Sequence, residues 1–245
     1  MFVANNSVLQ DYDQVDQAVE GLCSLGLFPH PNRVKSWDTF KMTNIVNQGD
    51  RTSHVLDIGC EGSPILPMLR RLGFRNLYGC DLDLNKKYVG LRKLVYSFYK
   101  RSYKPLLEMY EINNFDISVQ DLEKTEYATE KFDYITSLSV IEHGVNIQNY
   151  FKEMNRILKK GGVLLTSTDY WPDKIVNLIR SKYNHNNSAD IIFSREEIED
   201  MIKIAVQNGF VLTEPINFAY KNKVVHWNIT DLDFTFIFFA LRKNS

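Results

Sequence analysis

The chain has 245 residues, 44% hydrophobic and 24% charged, with a formal net charge of −1. That composition supports one large packed domain or two small ones and excludes a disordered chain. The near-neutral balance gives no electrostatic argument for nucleic acid or a membrane surface. Three cysteines, Cys23, Cys60 and Cys80, are too few and too scattered for a disulfide framework. No apolar run approaches the roughly 20 residues of a membrane span, and the first residues lack the basic-then-apolar pattern of a leader. A cytoplasmic protein of a reducing compartment, with no membrane insertion, is expected.

Val15, Ala18, Val19, Leu22 and Leu25 recur at helical spacing, and Gly26 suits a stop. A loop at Pro29-His30-Pro31-Asn32 follows, then a helical pattern from Val34 to Val46. This is too little material for a core of its own. Residues 1–53 are expected to form an N-terminal helical cap over residues 54–245, with Arg33, Lys35 and Trp37 placed to close over a site.

Residues 54–60 read as a nearly all-apolar strand, as a strand covered on both faces should. It stops at Gly59, and a helical pattern at about 64–72 closes at Gly73. Strand, tight glycine loop and helix is a geometry that holds an anionic or polar ligand. A second strand, Asn76-Leu77-Tyr78-Gly79-Cys80-Asp81, ends in an acid 22 residues after Gly59. At that spacing a carboxylate reaches the hydroxyls of a ribose.

Residues 84–110 carry a helical pattern with one-signed charge: Lys86, Lys87, Arg92, Lys93, Lys100, Arg101 and Lys104. A solvated face is the expected reading, with an anion- or RNA-binding patch as the alternative. A third strand at 115–120 ends at Asp121. A fourth, Phe132 to Leu138, runs into Ser139-Val140-Ile141-Glu142-His143-Gly144. A helix through Tyr150, Met154 and Leu158 stops at Gly161-Gly162. Val163 to Ser167 is a fifth strand, and Thr168-Asp169-Tyr170-Trp171-Pro172 is expected to leave the sheet at its ligand-facing end. A polar excursion at 173–193 precedes a capping box, Ser194 to Glu197, and its helix. Phe210-Val211-Leu212 and Phe234 to Leu241 read as strands six and seven. The alternation argues for a parallel sheet with helices on both faces. The missing crossover helix before the last strand makes that strand antiparallel.

Four ordered stretches resemble the class I S-adenosyl-L-methionine (SAM)-dependent methyltransferases. They are Val55-Leu56-Asp57-Ile58-Gly59-Cys60, Gly79-Cys80-Asp81, Phe132-Asp133-Tyr134-Ile135 with Val140-Ile141-Glu142-His143, and Ile157-Leu158-Lys159-Lys160-Gly161-Gly162-Val163-Leu164-Leu165. The family's loop usually reads Gly-x-Gly-x-Gly. Here Glu61 and Ser63 stand at the second and third glycine positions, and Gly62 is expected to take the sharp turn.

The resemblance implies a Rossmann-like α/β fold: seven strands, mostly parallel, with an antiparallel last strand and helices on both faces. It also implies SAM as cofactor. Asp57 would order the loop or sit near the methionine amino group. Gly59, Cys60 and Glu61 would bring loop backbone to the cofactor. Asp81 would accept from the ribose hydroxyls, with Leu82 on the adenine. Asp121 and Leu122 would meet the adenine amino group, and Ser137 and Leu138 the methionine arm. His143 is the candidate base, because it follows strand four at the open end of the sheet and titrates near neutrality. Asp169 and Tyr170, with Trp171, are candidate substrate-pocket residues. Glu142 has a local salt-bridge role, with a divalent cation as the alternative. The cysteines lack zinc-site spacing, and no metal is expected.

The stretch after strand four has neither the Asn/Asp-Pro-Pro-aromatic pattern of base-amine methylation nor a Pro-Cys nucleophile. A small-molecule or sugar/glycan acceptor, methylated on oxygen or nitrogen, is the expected partner, and nucleic acid is disfavoured. A non-catalytic SAM-fold scaffold and an RNA methyltransferase using the basic 86–104 helix are the alternatives.

Overall fold

The computed structural model describes residues 6–82, 115–179 and 189–244. The basic helix expected over 84–110 lies outside the described residues, as does the middle of the 173–193 excursion.

The strands are β1 (Ser7–Val8), β2 (His54–Ile58), β3 (Asn76–Asp81), β4 (Asp116–Val119), β5 (Phe132–Leu138), β6 (Leu158–Tyr170), β7 (Phe210–Leu212), β8 (Val225–Trp227) and β9 (Leu232–Lys243). The helices are α1 (Tyr12–Ser24), α2 (Ser36–Asn47), α3 (Ile65–Arg71), α4 (Ile147–Ile157) and α5 (Arg195–Gln207). One sheet runs β1-β9-β6-β5-β2-β3-β4, and β7 and β8 also pair with β9. β4, β3, β2, β5 and β6 are mutually parallel, whereas β9 runs antiparallel to β6. All seven expected strands form, and the last is antiparallel, as the missing crossover required.

β9 is the longest apolar run, and its alternation organises the core. Ile237, Phe239 and Leu241 join one buried cluster, while Phe234, Phe236, Phe238 and Ala240 join the other. Successive side chains of a strand point to opposite faces, so a run that is apolar throughout belongs in a sheet covered on both sides. α4 and α5 cover the first face with Tyr150, Phe151, Met154, Ile198 and Met201. α1, α2 and α3 cover the second with Val15, Trp37, Met42, Ile45 and Leu69. α5 opens on the expected capping box: Ser194 Oγ accepts from Glu197 N, and the Glu197 side chain accepts from Ser194 N.

Three features differ from the sequence reading. The N-terminal segment supplies a strand as well as helices: Ser7 and Val8 pair with Phe238 and Ile237. β8 adds a hairpin before β9, pairing Val225 with Phe234 and Trp227 with Leu232. β7, β1 and β8 thus cover successive stretches of the outer edge of β9, an edge that would otherwise invite pairing with another chain. β6 continues three residues beyond the expected end, to Tyr170, because Thr168, Asp169 and Tyr170 pair with Ile237, Phe236 and Thr235 of β9.

From β2 the chain runs outward through β3 and β4, then returns to β5 on the other side of β2. Such a reversal opens a crevice at the carboxyl ends of the strands. No helix among the described residues is long and apolar enough to cross a membrane.

Candidate active site

A cleft of about 1090 Å³ opens at the carboxyl ends of the parallel strands. One half is built by the turns after β2, β3 and β4. Gly59 sits at φ 62° and Gly62 at φ 85°, left-handed conformations that a side chain opposes. A Cβ on Gly59 would also stand 2.6 Å from Val140 Cγ2. Gly62 therefore takes the sharp turn, and Glu61 and Ser63 occupy the positions around it. Asp81 ties this loop to β3. Its Oδ2 accepts from Glu61 N at 3.1 Å and its Oδ1 from Leu82 N at 2.8 Å. Leu82 remains 43% exposed, offering an apolar surface beside the acid. Asp121, Leu122 and Glu123 form the next stretch of wall, and Asp121 Oδ1 accepts from Glu123 N at 2.9 Å.

Asp57, Cys60 and Ser137 stand behind this surface and do not line the cleft. Asp57 is fully buried, and burial pushes its carboxyl up to about 7 against the hydrogen bond that Thr136 Oγ1 donates at 2.6 Å. Burial also pushes the Cys60 and Cys80 thiols up, which leaves them poor nucleophiles. Gly59, Glu61, Asp81, Leu82, Asp121, Leu122 and Leu138 do line the cleft.

The other half is the region beyond β5 and β6. The turn after β5 runs through Ser139 at φ 53° into a short helical turn, Ile141–His143. His143 Nδ1 is 2.8 Å from Asp190 Oδ1. Burial works against charging this imidazole, but the Asp190 hydrogen bond and the Glu142, Asp190 and Asp169 carboxylates outweigh it, so its pKa is raised. Glu142 is buried and accepts from Thr168 Oγ1 at 2.8 Å. Asp169 also faces the cleft, its carboxyl pushed well up by burial and by Glu142. Phe234, Phe236 and Trp227 of the terminal hairpin form the facing wall, and Lys35 reaches in from the turn before α2.

Tyr170 does not belong to the cleft. It is fully buried in the cluster with α4 and α5, its ring 6.2 Å from that of Phe218. The reason is parity: with β6 extending to residue 170, Asp169 and Tyr170 point to opposite faces. Trp37 is buried in the core cluster with Val15, Met42 and Ile45 and does not line the cleft, and Arg33 pairs at the surface with Asp16 at 2.8 Å. Sequence reasoning missed Asp190, Ser139 and the hairpin aromatics as site residues. For Asp190 the only signal is the apolar Ile191-Ile192-Phe193 that follows it, which pins the end of the excursion to β6 through Phe193 N and Asp169 O at 3.0 Å. Among the described residues no cluster of three or more His, Cys, Asp or Glu is arranged to hold a metal ion.

Residues 39–214 match the family described as "Methyltransferase domain". A ubiquinone biosynthesis O-methyltransferase of Dictyostelium discoideum is 22% identical over 202 residues, covering 78% of this chain and 60% of that protein. The chain thus spans less than two thirds of that relative's length. Among solved structures, the [4+2]-cyclase SpnF aligns with a TM-score of 0.56 at 14% identity, covering 95% of this chain and 93% of that one. The Burkholderia thailandensis 1,6-didemethyltoxoflavin-N1-methyltransferase, solved with 1,6-didemethyltoxoflavin and S-adenosylhomocysteine, aligns at 0.55 and 13% identity, covering 95% and 86%. At these identities the likeness is one of fold.

Proposed function

This chain belongs to the methyltransferase-domain family and is of the class I SAM-dependent type, and from that premise we propose that it methylates an oxygen or nitrogen of a small-molecule acceptor, with His143 as general base. The observation that carries this reading is the His143–Asp190 pair, 2.8 Å apart, on the wall of the same cleft that holds the glycine loop and Asp81.

The residues present fit the cofactor. Left-handed Gly59 and Gly62 leave backbone where side chains would block approach, and Asp81 presents a carboxylate with lone pairs beyond those used by the two amides. Leu82 and Leu122 give flanking apolar surface for a flat base. When bound, SAM supplies a methyl group activated by a positive sulfur. The chain's own task is mainly to position the acceptor in line with that bond. For a hydroxyl acceptor it must also take a proton, and His143 is the group placed to receive it, with Asp190 fixing the ring through Nδ1. The curated relative is named an O-methyltransferase of ubiquinone biosynthesis, which supports a small molecule, and oxygen, over a polymer. SpnF is named a cyclase on the same fold, so methyl transfer needs its own test.

The test is SAM-dependent turnover of a small-acceptor library, followed across pH. A base works only when neutral, and His143 has a raised pKa, so kcat/KM is lost as the pH falls, with a midpoint above the usual histidine value of 6.5. Asp190→Asn removes a group that raises it, so the midpoint moves to lower pH. A profile that stays flat over roughly pH 5 to 8 removes His143 from the role of base.

A further inference from the structure

The cofactor half of the cleft gives no reason for a lysine from the N-terminal segment to stand on its far side. Lys35 closes a one-turn helix, Arg33–Lys35, and its ammonium lies over the ring of Phe236, 4.1 Å from the centroid. Nζ donates to Ser139 Oγ and stands 3.9 Å from Asp38 Oδ2. Ser139 is held in the left-handed region, a cost that a non-glycine residue bears where the surroundings fix it. Its amide donates to Ser167 O at 3.0 Å, which anchors the turn to β6. Asp38 is already engaged: its Oδ2 accepts from Ser167 Oγ at 2.6 Å and its Oδ1 from Thr39 N at 2.9 Å.

The register supplies the second observation. Phe236 pairs directly with Asp169 across β6 and β9, so their side chains share a face. Asp169 is 8% exposed and lines the cleft, yet among the described residues its carboxyl oxygens accept no hydrogen bond. This carboxyl lies beside an aromatic wall and a cation and faces the cleft, where a donor on an entering molecule can reach it. Lys35 precedes the family-matched stretch, and the β8–β9 hairpin follows it.

We propose that Lys35, Asp169 and the aromatic wall of Phe236, Phe234 and Trp227 form an acceptor subsite for a flat, acidic hydroxyl compound, a phenol or enol, with Lys35 Nζ facing the oxygen to be methylated. This inference rests on the SAM-dependent reading above. The ring lies against the hairpin aromatics, and Asp169 pairs with a second donor on the same acceptor. The oxygen–hydrogen bond would break with its proton passing to His143, and the electron pair left on oxygen would form the new bond to the methyl carbon as the carbon–sulfur bond breaks, its electron pair remaining on the sulfur, which leaves as a neutral thioether. A fixed cation favours the ionised oxygen, an advantage that a saturated alcohol, a far weaker acid, hardly uses. The titratable groups facing Lys35 are His30, Asp38 and Asp169, and Glu142, His143 and Asp190 in turn face Asp169.

The test uses para-nitrophenol, coloured only when ionised, titrated with protein saturated with S-adenosylhomocysteine. In the wild type the bound phenol should ionise at lower pH than in Lys35→Met, by about one unit, a tenfold change in the ionised ratio. Lys35→Arg should keep most of that difference, and all three proteins should bind S-adenosylhomocysteine equally. The subsite is refuted by equal ionisation in wild type and Lys35→Met. It is refuted equally by cyclohexanol competing as well as the phenol, or by no phenol binding to protein that does bind S-adenosylhomocysteine. A wild type that does not bind S-adenosylhomocysteine overturns the cofactor reading, and this inference with it.

Discussion

Replacing His143 with glutamine should lower kcat roughly 100- to 10,000-fold, the usual contribution of a positioned general base, while leaving S-adenosylhomocysteine affinity where it was. The split follows from where the residue sits. His143 is on the turn after β5, away from the Asp81 carboxylate and the Leu82 surface that would hold the nucleoside. Its imidazole is aimed by Asp190 at 2.8 Å and kept partly open to the cleft, with 29% of the side chain exposed. Glutamine retains a donor for Asp190 but cannot take up a proton. Turnover in this variant should also lose the acid limb seen in the wild type. Unchanged kcat would reduce His143 to a turn residue whose amide donates to Val140 O at 3.1 Å.

Asp81→Ala should weaken S-adenosylhomocysteine binding roughly 30- to 1,000-fold, from the loss of two hydrogen bonds to a charged group. Thermal stability should change little, because the carboxylate lies at the mouth of the crevice and fills no core space. The variant also removes the two carboxylate oxygens to which Glu61 N and Leu82 N donate at 3.1 and 2.8 Å. Alanine therefore loosens the glycine loop at the same time as it removes the acceptor for the ribose. Asp81→Asn keeps one acceptor and should fall between wild type and alanine. Equal affinity in all three would place the nucleoside somewhere other than the end of β3.

Most of the fold is legible in the residues because both signals used are local. Apolar strands alternate with helical patterns along the chain, one of them ending in a glycine turn, and strand seven lacks a crossover. The glycine loop and Asp81 are legible for the same reason: two neighbouring strands end in the same crevice. What is not legible depends on register. Nothing in Thr168-Asp169-Tyr170 says whether the strand continues, and only pairing with Thr235 and Phe236 does so. That pairing puts Tyr170 in the core and leaves Asp169 in the cleft. Asp190, Phe236 and Lys35 come together from three distant segments, and no spacing in one sequence announces that meeting. Lys35 shares a segment with Arg33 and Trp37, yet it alone of the three lines the cleft, because Trp37 packs inward from α2 and Arg33 faces solvent.

The most direct check on the cofactor site is isothermal titration of S-adenosylhomocysteine into the purified wild-type protein. A cleft built on Gly59, Gly62 and Asp81 should give saturable binding of one molecule per chain. Absence of binding at roughly millimolar ligand, a free energy of only about −4 kcal/mol, would contradict it.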